Sequence, residues 1–242
     1  MNVDHRAVLI TGASRGLGAA LARELGSRGA RLVLVARDEK RLQSVATDIR
    51  ARGGEAHGVV ADVGDKDAIY PLAGTAAALV GPIDVLVHNA STLGPTPLRP
   101  LLDTDCEDLA RVLDVNLVGP FRLTRAIAGS MALRRSGVVV HISSDASIAA
   151  YPEWGAYSVS KAALDHLTRL WASELGPHGV KFFAVDPGEM DTDMHEDALP
   201  GSDRHALTHP EVIARRIARM LAEHDGITNG ARLEAWAWKE AS

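Results

Sequence analysis

"AVLITGASRGLGAALARELGSRG" occupies residues 7 to 29. Its first five residues, AVLIT, are apolar and β-branched and run without a linker into the glycine-rich turn TGASRGLG at 11 to 18. That turn opens an alanine- and leucine-rich segment, so strand, turn and helix follow one another as the first half of a βαβ unit. Glycines at 12, 16 and 18 allow the backbone to turn sharply and to approach a ligand closely. The amides and dipole of the helix start then favour anionic oxygen, as in a phosphate. The motif is not GxGxxG, because Ser14 stands where the second glycine would be. A tight turn that binds nothing is the alternative, and the position in the first βα unit weighs against it.

The same rhythm continues along the chain. RLVLVA (31 to 36), AHGVVA (56 to 61), DVLVHNA (84 to 90), GVVVHISS (137 to 144), VKFFAVD (180 to 186) and ARLEAW (231 to 236) complete seven strand-like runs separated by helix-length segments. This pattern predicts a doubly wound α/β fold: one domain over 1–242, with a seven-stranded parallel sheet and helices on both faces. No repeat or linker divides the 242 residues. Two helix starts are expected from capping boxes, Thr104 with Glu107 and Thr208 with Glu211, the second with Pro210 in its first turn. Between Asp186 and Thr208 the chain is irregular, and a long connection of this kind in a compact domain is expected to be a lid, over about 189–208.

Composition excludes several functions. A net charge of -5 with no Lys/Arg-rich block argues against a nucleic-acid partner or an anionic membrane surface. Cys106 is the single cysteine, so neither an internal disulfide nor a CxxC site can form, which fits a reducing compartment. The first strand begins by Ala7, leaving no room for a signal peptide, and no apolar run approaches the ~20 residues of a membrane span. A cytoplasmic protein is expected. His205 and His209 are four apart but lack companion ligands, so no metal site is expected.

The stretch YSVSK at 157 to 161 carries the chemistry. Tyr157 and Lys161 lie at i and i+4 of a helical segment and share one face. Ser144 precedes Tyr157 at the end of the fifth strand, where doubly wound folds bind ligands. A free tyrosine, with a pKa of about 10, is a poor base near neutrality. An ammonium at ~4 Å contributes up to about 4 kcal/mol at an effective dielectric near 20, roughly three pKa units. Such a pair is expected to give a phenol that exchanges a proton at working pH. Ser143, by strand alternation, is expected on the opposite face. Pro120 lacks an amide hydrogen and cannot close the helical bond to the carbonyl of Asn116, which is thereby freed.

Taken together, TGxxxGxG near the N-terminus and YxxxK with a serine ahead of it resemble the short-chain dehydrogenase/reductase family, a Rossmann fold, over nearly the whole chain. The resemblance implies a nicotinamide cofactor held by Gly12, Ser14, Arg15, Gly16, Leu17 and Gly18. It implies further contacts from Asp62 and Val63 to adenine, from Asn89 and Ala90, and from Pro187, Gly188, Met190 and Thr192 near the nicotinamide. It also implies that Tyr157 donates the proton, Lys161 holds the ribose, Ser144 polarises the carbonyl and Asn116 completes the set through a water relay to Lys161. Family habit adds a homodimer or homotetramer. Two positions depart from the pattern: HNAS at 88 to 91 stands where the family has NNAG, and Asp186 precedes Pro187.

Coenzyme choice is expected at the end of the second strand, where an NAD-selective fold places an acid about 20 residues past the glycines. Here Ala36 and Arg37 occupy that place, and Arg37 with Arg15 could pair with a 2′-phosphate. NADP(H) is the expected coenzyme; NAD(H) is the alternative, with Asp38 facing the ribose. The implied activity is NADP(H)-dependent interconversion of a small-molecule carbonyl and an alcohol, the alternative being a cofactor-binding regulatory or scaffolding module without turnover. Acids in the lid, Glu189, Asp191, Asp193, Glu196 and Asp197, raise the idea of a cationic substrate, against which stands a plain solvated helix face.

Overall fold

The structure, a computed structural model, describes residues 3–238. Strand β1 (Ala7–Thr11) leads through the glycine turn into α1 (Gly16–Ser27) and on to β2 (Arg31–Ala36), which pairs parallel with β1 from Ala7 opposite Arg31 to Thr11 opposite Val35. Next come α2 (Glu39–Ala51), β3 (Glu55–Val60) and α3 (Ile69–Val80), after which β4 (Val85–His88) returns to the other side of β1. The second half adds α4 (Cys106–Leu113), α5 (Gly119–Arg134) and β5 (Gly137–Ile142), then α6 (Gly155–Leu175) and β6 (Val180–Asp186). It ends with α7 (Asp193–Ala198), α8 (Pro210–Ala222) and β7 (Arg232–Glu234). The sheet is seven-stranded and parallel, in the order β3-β2-β1-β4-β5-β6-β7. Its order reverses between β1 and β4, opening a crevice above their carboxyl ends.

Side chains alternate across the sheet. Val8, Ile10, Leu32 and Leu34 pack into one layer with α1, α2 and α8, while Leu9, Val33 and Val35 pack into the other with α3 and α5. Burial on both faces is why these strands read as continuous apolar runs, and each fully buried Leu or Ile contributes about 1.5–3 kcal/mol. The carboxyl edge of the sheet is left open between the two layers, while a few polar side chains, His141, Thr124 and Thr168 among them, are buried within them.

Three strands are shorter than the sequence suggests. β4 stops at His88 because the next two amides, of Asn89 and Ala90, both donate to Thr11 Oγ1 at 3.1 Å. β5 stops at Ile142, leaving Ser143 and Ser144 beyond its end, and β7 gives way to a 3-10 turn at Ala235–Ala237. Neither expected capping box forms. Thr104 donates to the Pro100 carbonyl instead, with Asp105 at the N-cap of α4, and α8 starts after His209 with no side-chain cap, although Pro210 does occupy its first turn. Pro120 has a clear effect: residues Asp114–Val118 widen into a π-turn in which the Gly119 amide reaches back to the Asp114 carbonyl.

Candidate active site

The glycine turn is held by side chains from β4. Asn89 Nδ2 donates to the carbonyls of Thr11 and Gly12, each at 3.0 Å, and this fixes how closely the two segments approach. A Cβ on Gly12, whose φ is +68°, would meet Ala90 Cα at 2.8 Å; one on Gly18 would meet the Gly12 carbonyl oxygen at 2.2 Å. Gly18 therefore serves packing between helix and strand. Above the turn, Arg15 at the N-cap of α1 makes no side-chain cap and the first turn carries no acid, so its amides face the crevice uncompensated.

A cleft of about 500 Å³ runs along the carboxyl edge of the sheet. Of the residues expected to bind cofactor, Ser14, Arg15, Gly16 and Leu17 line it from the turn, and Arg37, Asp62, Val63, Asn89 and Ala90 from the ends of β2, β3 and β4. Tyr157 and Lys161 close its other end, and Pro187, Met190 and Thr192 line it from the segment after β6. Gly188 lies outside the lining; with φ +73° it turns the chain against Trp236. Asp62 forms no helix cap: its carboxylate accepts from the Gly64 amide at 2.9 Å and pairs with Arg111 and Arg37. Burial pushes its acidity one way, but the Gly64 amide and the two guanidiniums outweigh it and hold the carboxyl below its ordinary value.

The end of the cleft beside the glycine turn and β2 holds one residue that sequence reasoning missed, Arg41. Arg15 and Arg41 converge on one carboxylate, that of Asp193, at 3.0 and 3.2 Å. Asp38, the candidate ribose acid, is engaged at the N-cap of α2, accepting from the Arg41 amide at 3.0 Å. Arg41 sits on the exposed first turn of a helix, and nothing in the local sequence marks it out.

At the opposite end Tyr157 and Lys161 are buried, at 8% and 2% exposure, with the ammonium 5.4 Å from the phenol ring centre. Lys161 Nζ donates to the Ile142 carbonyl at 2.7 Å. Burial pushes the Tyr157 phenol up to about 12, with Asp186 and Asp145 adding to the rise, while hydrogen bonds with Ser144 and Ser91 oppose it. This reverses the downward shift expected from Lys161: desolvation of the phenolate outweighs any help from the ammonium. Burial takes Lys161 down to about 8, with Asp165 and Asp186 holding it up.

Ser144 reaches the phenol, and its hydroxyl also donates to Asp145 at 2.9 Å. It is Ser143, expected on the far face, that lines the cleft, and Ser144 lies outside the lining. Asn116 is fully buried behind the site, where its amide donates to the Thr92 carbonyl and to Ser160 Oγ and its oxygen accepts from the Thr92 amide and Ser91 Oγ. Its side chain braces α6 against the loop after β4. Ser91, which departs from the family's glycine, thereby gains a contact with both Asn116 and the Tyr157 phenol.

The expected lid is tied at its base, where the Asp191 amide donates to the Thr208 carbonyl and the Thr208 amide to the Glu189 carbonyl, around an isolated bridge from Met190 to Thr208. Thr192 caps α7 and touches the turn, since a Cβ on Gly16 would lie 3.3 Å from its methyl. Three of the five lid acids are engaged within the protein: Asp191 pairs with Arg204, Asp193 with Arg15 and Arg41, and Glu196 accepts from the Gly201 amide. Next to the phenol stand Leu93, Ala146, Trp154 and Met194, with Trp154 edge-on to Tyr157 at 5.8 Å. Among the described residues no group of three His, Cys, Asp or Glu side chains is placed to hold a metal, and no helix is long and apolar enough to cross a membrane.

Comparison with known proteins agrees with this geometry. Residues 6–202 match the family model described as short chain dehydrogenase. A 3-oxoacyl-[acyl-carrier-protein] reductase from Synechocystis is 38% identical over 190 residues, 78% of this chain and 76% of that protein. A 3beta-hydroxysteroid dehydrogenase from Eggerthella lenta is 31% identical over 244 residues, 96% of this chain and 92% of that one. Among solved structures, a short chain dehydrogenase from Shigella flexneri complexed with NADP superposes with a TM-score of 0.90 at 25% identity, covering 97% of this chain and 98% of the other. The seven-stranded sheet, the glycine turn at its switch point and the family match over residues 6–202 together establish that the chain belongs to the short chain dehydrogenase family of oxidoreductases.

Proposed function

We propose that the protein is an NADP(H)-dependent carbonyl reductase in which Tyr157 delivers the proton. The observation that carries this reading is the buried Tyr157–Lys161 pair at the end of a cleft that begins at the glycine turn. When bound, the nicotinamide supplies the hydride to the carbonyl carbon. Tyr157, with its pKa pushed up to about 12, keeps its proton at neutral pH and acts as the general acid toward the carbonyl oxygen. Ser144 is the second donor to that oxygen, and Lys161, at about 8, remains an ammonium able to hold ribose hydroxyls. Asn116 fixes the loop that carries Ser91 and the helix that carries Tyr157.

Preference for NADP(H) is supported by the convergence of Arg15 and Arg41, by the exposed Arg37 guanidinium and by the use of Asp38 as a helix cap. The residues about the phenol favour a carbonyl with an apolar flank, because Leu93 and Met194 give no hydrogen bonds to a sugar and Trp154 packs on the phenol by its ring. A homo-oligomer joined through α5 and α6 is supported by exposed Phe121, Val159 and Leu170 on those helices. Cytoplasmic residence fits the single exposed cysteine.

The test is coenzyme oxidation at saturating NADPH against a panel of ketones, aldehydes and diketones, with Tyr157→Phe beside the parent. Loss of the proton donor is expected to lower kcat by at least about a hundredfold while the fold and coenzyme binding persist. A Tyr157→Phe protein that keeps its parent's turnover would remove Tyr157 from the chemistry.

A further inference from the structure

Behind Ser144 and Lys161 lies a buried ionic cluster that the chemistry above does not use. Arg232, the first residue of β7, has its side chain 16% exposed; its partners Asp165 on α6 and Asp186 at the end of β6 are 8% and 4% exposed. Arg232 Nη2 donates to Asp186 Oδ2 and to the Ser144 carbonyl, both at 2.9 Å, and Nε donates to Asp165 Oδ2 at 3.2 Å. Ser147 Oγ donates to the same Asp165 oxygen at 2.6 Å, and the Gly188 amide donates to Asp186 Oδ1 at 2.9 Å. Asp165 Oδ1 is buried with no hydrogen-bond partner among the described residues.

Charges removed from water persist only when matched. Two buried carboxylates face the one guanidinium of Arg232, whose Nη1 also lies 3.8 Å from the half-exposed Glu234 carboxylate, so a buried negative charge is left over, and the buried Lys161 ammonium, one helical turn from Asp165, faces it. Lys161 is faced by Tyr157 and Asp165 from its own helix, by buried neutral His141 from β5 and by Asp186 from β6. The four buried charged groups, two acids and two bases, sum to zero, and Glu234 at the rim is half-exposed and screened by water. Asp165 follows Lys161 by one helical turn, and Arg232 grips the carbonyl of the residue that carries the Ser144 hydroxyl.

Resting on the reading of Lys161 and Ser144 given above, we propose that Asp165, Asp186 and Arg232 are positioning residues of the site: the two carboxylates hold Lys161 as an ammonium, and Arg232 fixes the backbone that presents Ser144. A purely structural role, pinning β7 to the sheet, would make the same contacts but would not couple them to the charge of Lys161.

The chain has five lysines, so the Lys161 resonance can be followed by NMR of the full-length protein labelled at lysine Cε, with Lys161→Arg for assignment. In Asp165→Asn, which keeps the shape and the acceptor for Ser147, the Lys161 midpoint is expected to fall by about one pH unit from about 8. Asp186→Asn should shift it in the same direction and serves as the second variant if the first does not fold. Carbonyl reduction by Asp165→Asn should then lose about tenfold in kcat at alkaline pH relative to the parent and little at pH near 6.5. Arg232→Lys keeps the charge but cannot reach three acceptors, so kcat should fall with KM and the Lys161 midpoint nearly unchanged. Folded Asp165→Asn and Asp186→Asn proteins with an unshifted Lys161 midpoint would overturn the proposal, whether or not turnover is seen. Turnover that survives Tyr157→Phe would instead strike at the underlying reading and leave the NMR result to judge the cluster.

Discussion

With its phenol pushed up to about 12 and its neighbouring ammonium brought down to about 8, the Tyr157–Lys161 pair holds both protons at neutral pH. That state suits reduction, where a proton must be given. A comparable balance governs the other end of the cleft, where Asp193 occupies two guanidiniums that a 2′-phosphate would claim. All three side chains are half-exposed, a setting in which an ion pair is worth about 0.2–1 kcal/mol. Asp193→Asn is therefore expected to tighten NADPH by about two- to fivefold, read as its KM or by fluorescence titration, and to leave NADH unaffected. An equal effect on both coenzymes would place the contact outside phosphate recognition. Tyr157, Lys161, Ser144 and the glycines could be found from spacing because each belongs to a local pattern. Arg41, Arg111 and the pairings of Ser91 and Asp193 could not, since the partners lie far away in sequence and only the fold brings them together.

Among the elements, the strands were the most legible, because burial on both faces imposes apolar runs that no other setting requires. Their ends were not: β4 is cut short by a side chain 78 residues away, Thr11, which takes the amide of Asn89. Helix starts were harder still. The Thr104 and Thr208 boxes have the right spacing, yet a hydroxyl that finds a closer carbonyl, as Thr104 does at Pro100, leaves the cap to the next residue. Pro120 was read correctly as an interruption. A π-turn stands just ahead of it, and within that turn the buried Asn116 side chain bonds to the loop after β4 and to α6.

Taken as one body, the fold stores a pH dependence in its core. His88 and His141 stack at 5.0 Å between the sheet and its helices, bonded to Thr124 and Thr168 at 2.8 and 2.9 Å. Thr168 donates to the Leu164 carbonyl, so His141 Nδ1 must be the donor toward Thr168, and its buried Nε2 has no partner among the described residues. Burial, with Lys161 nearby, takes His141 down to about 3; burial, with His141, takes His88 well below its ordinary value. Both stay neutral in the fold, whereas the unfolded chain binds protons at them below about pH 6.5. Stability is thus complete above that pH and falls as pH drops toward 3, by up to about 1.4 kcal/mol per pH unit for each histidine. Denaturant midpoints should be lower at pH 5 than at pH 7.5; equal midpoints would show that the histidines take up protons in the folded protein.

The most direct single measurement is kcat/KM for NADPH and for NADH on one reducible ketone, with binding of both coenzymes measured alongside. A ratio well above one in favour of NADPH is expected from a carbonyl reductase that reads the 2′-phosphate through Arg15, Arg37 and Arg41. A ratio below one would assign the coenzyme to NAD(H), and tight binding without oxidation of either coenzyme across the carbonyl panel would point to a regulatory module instead.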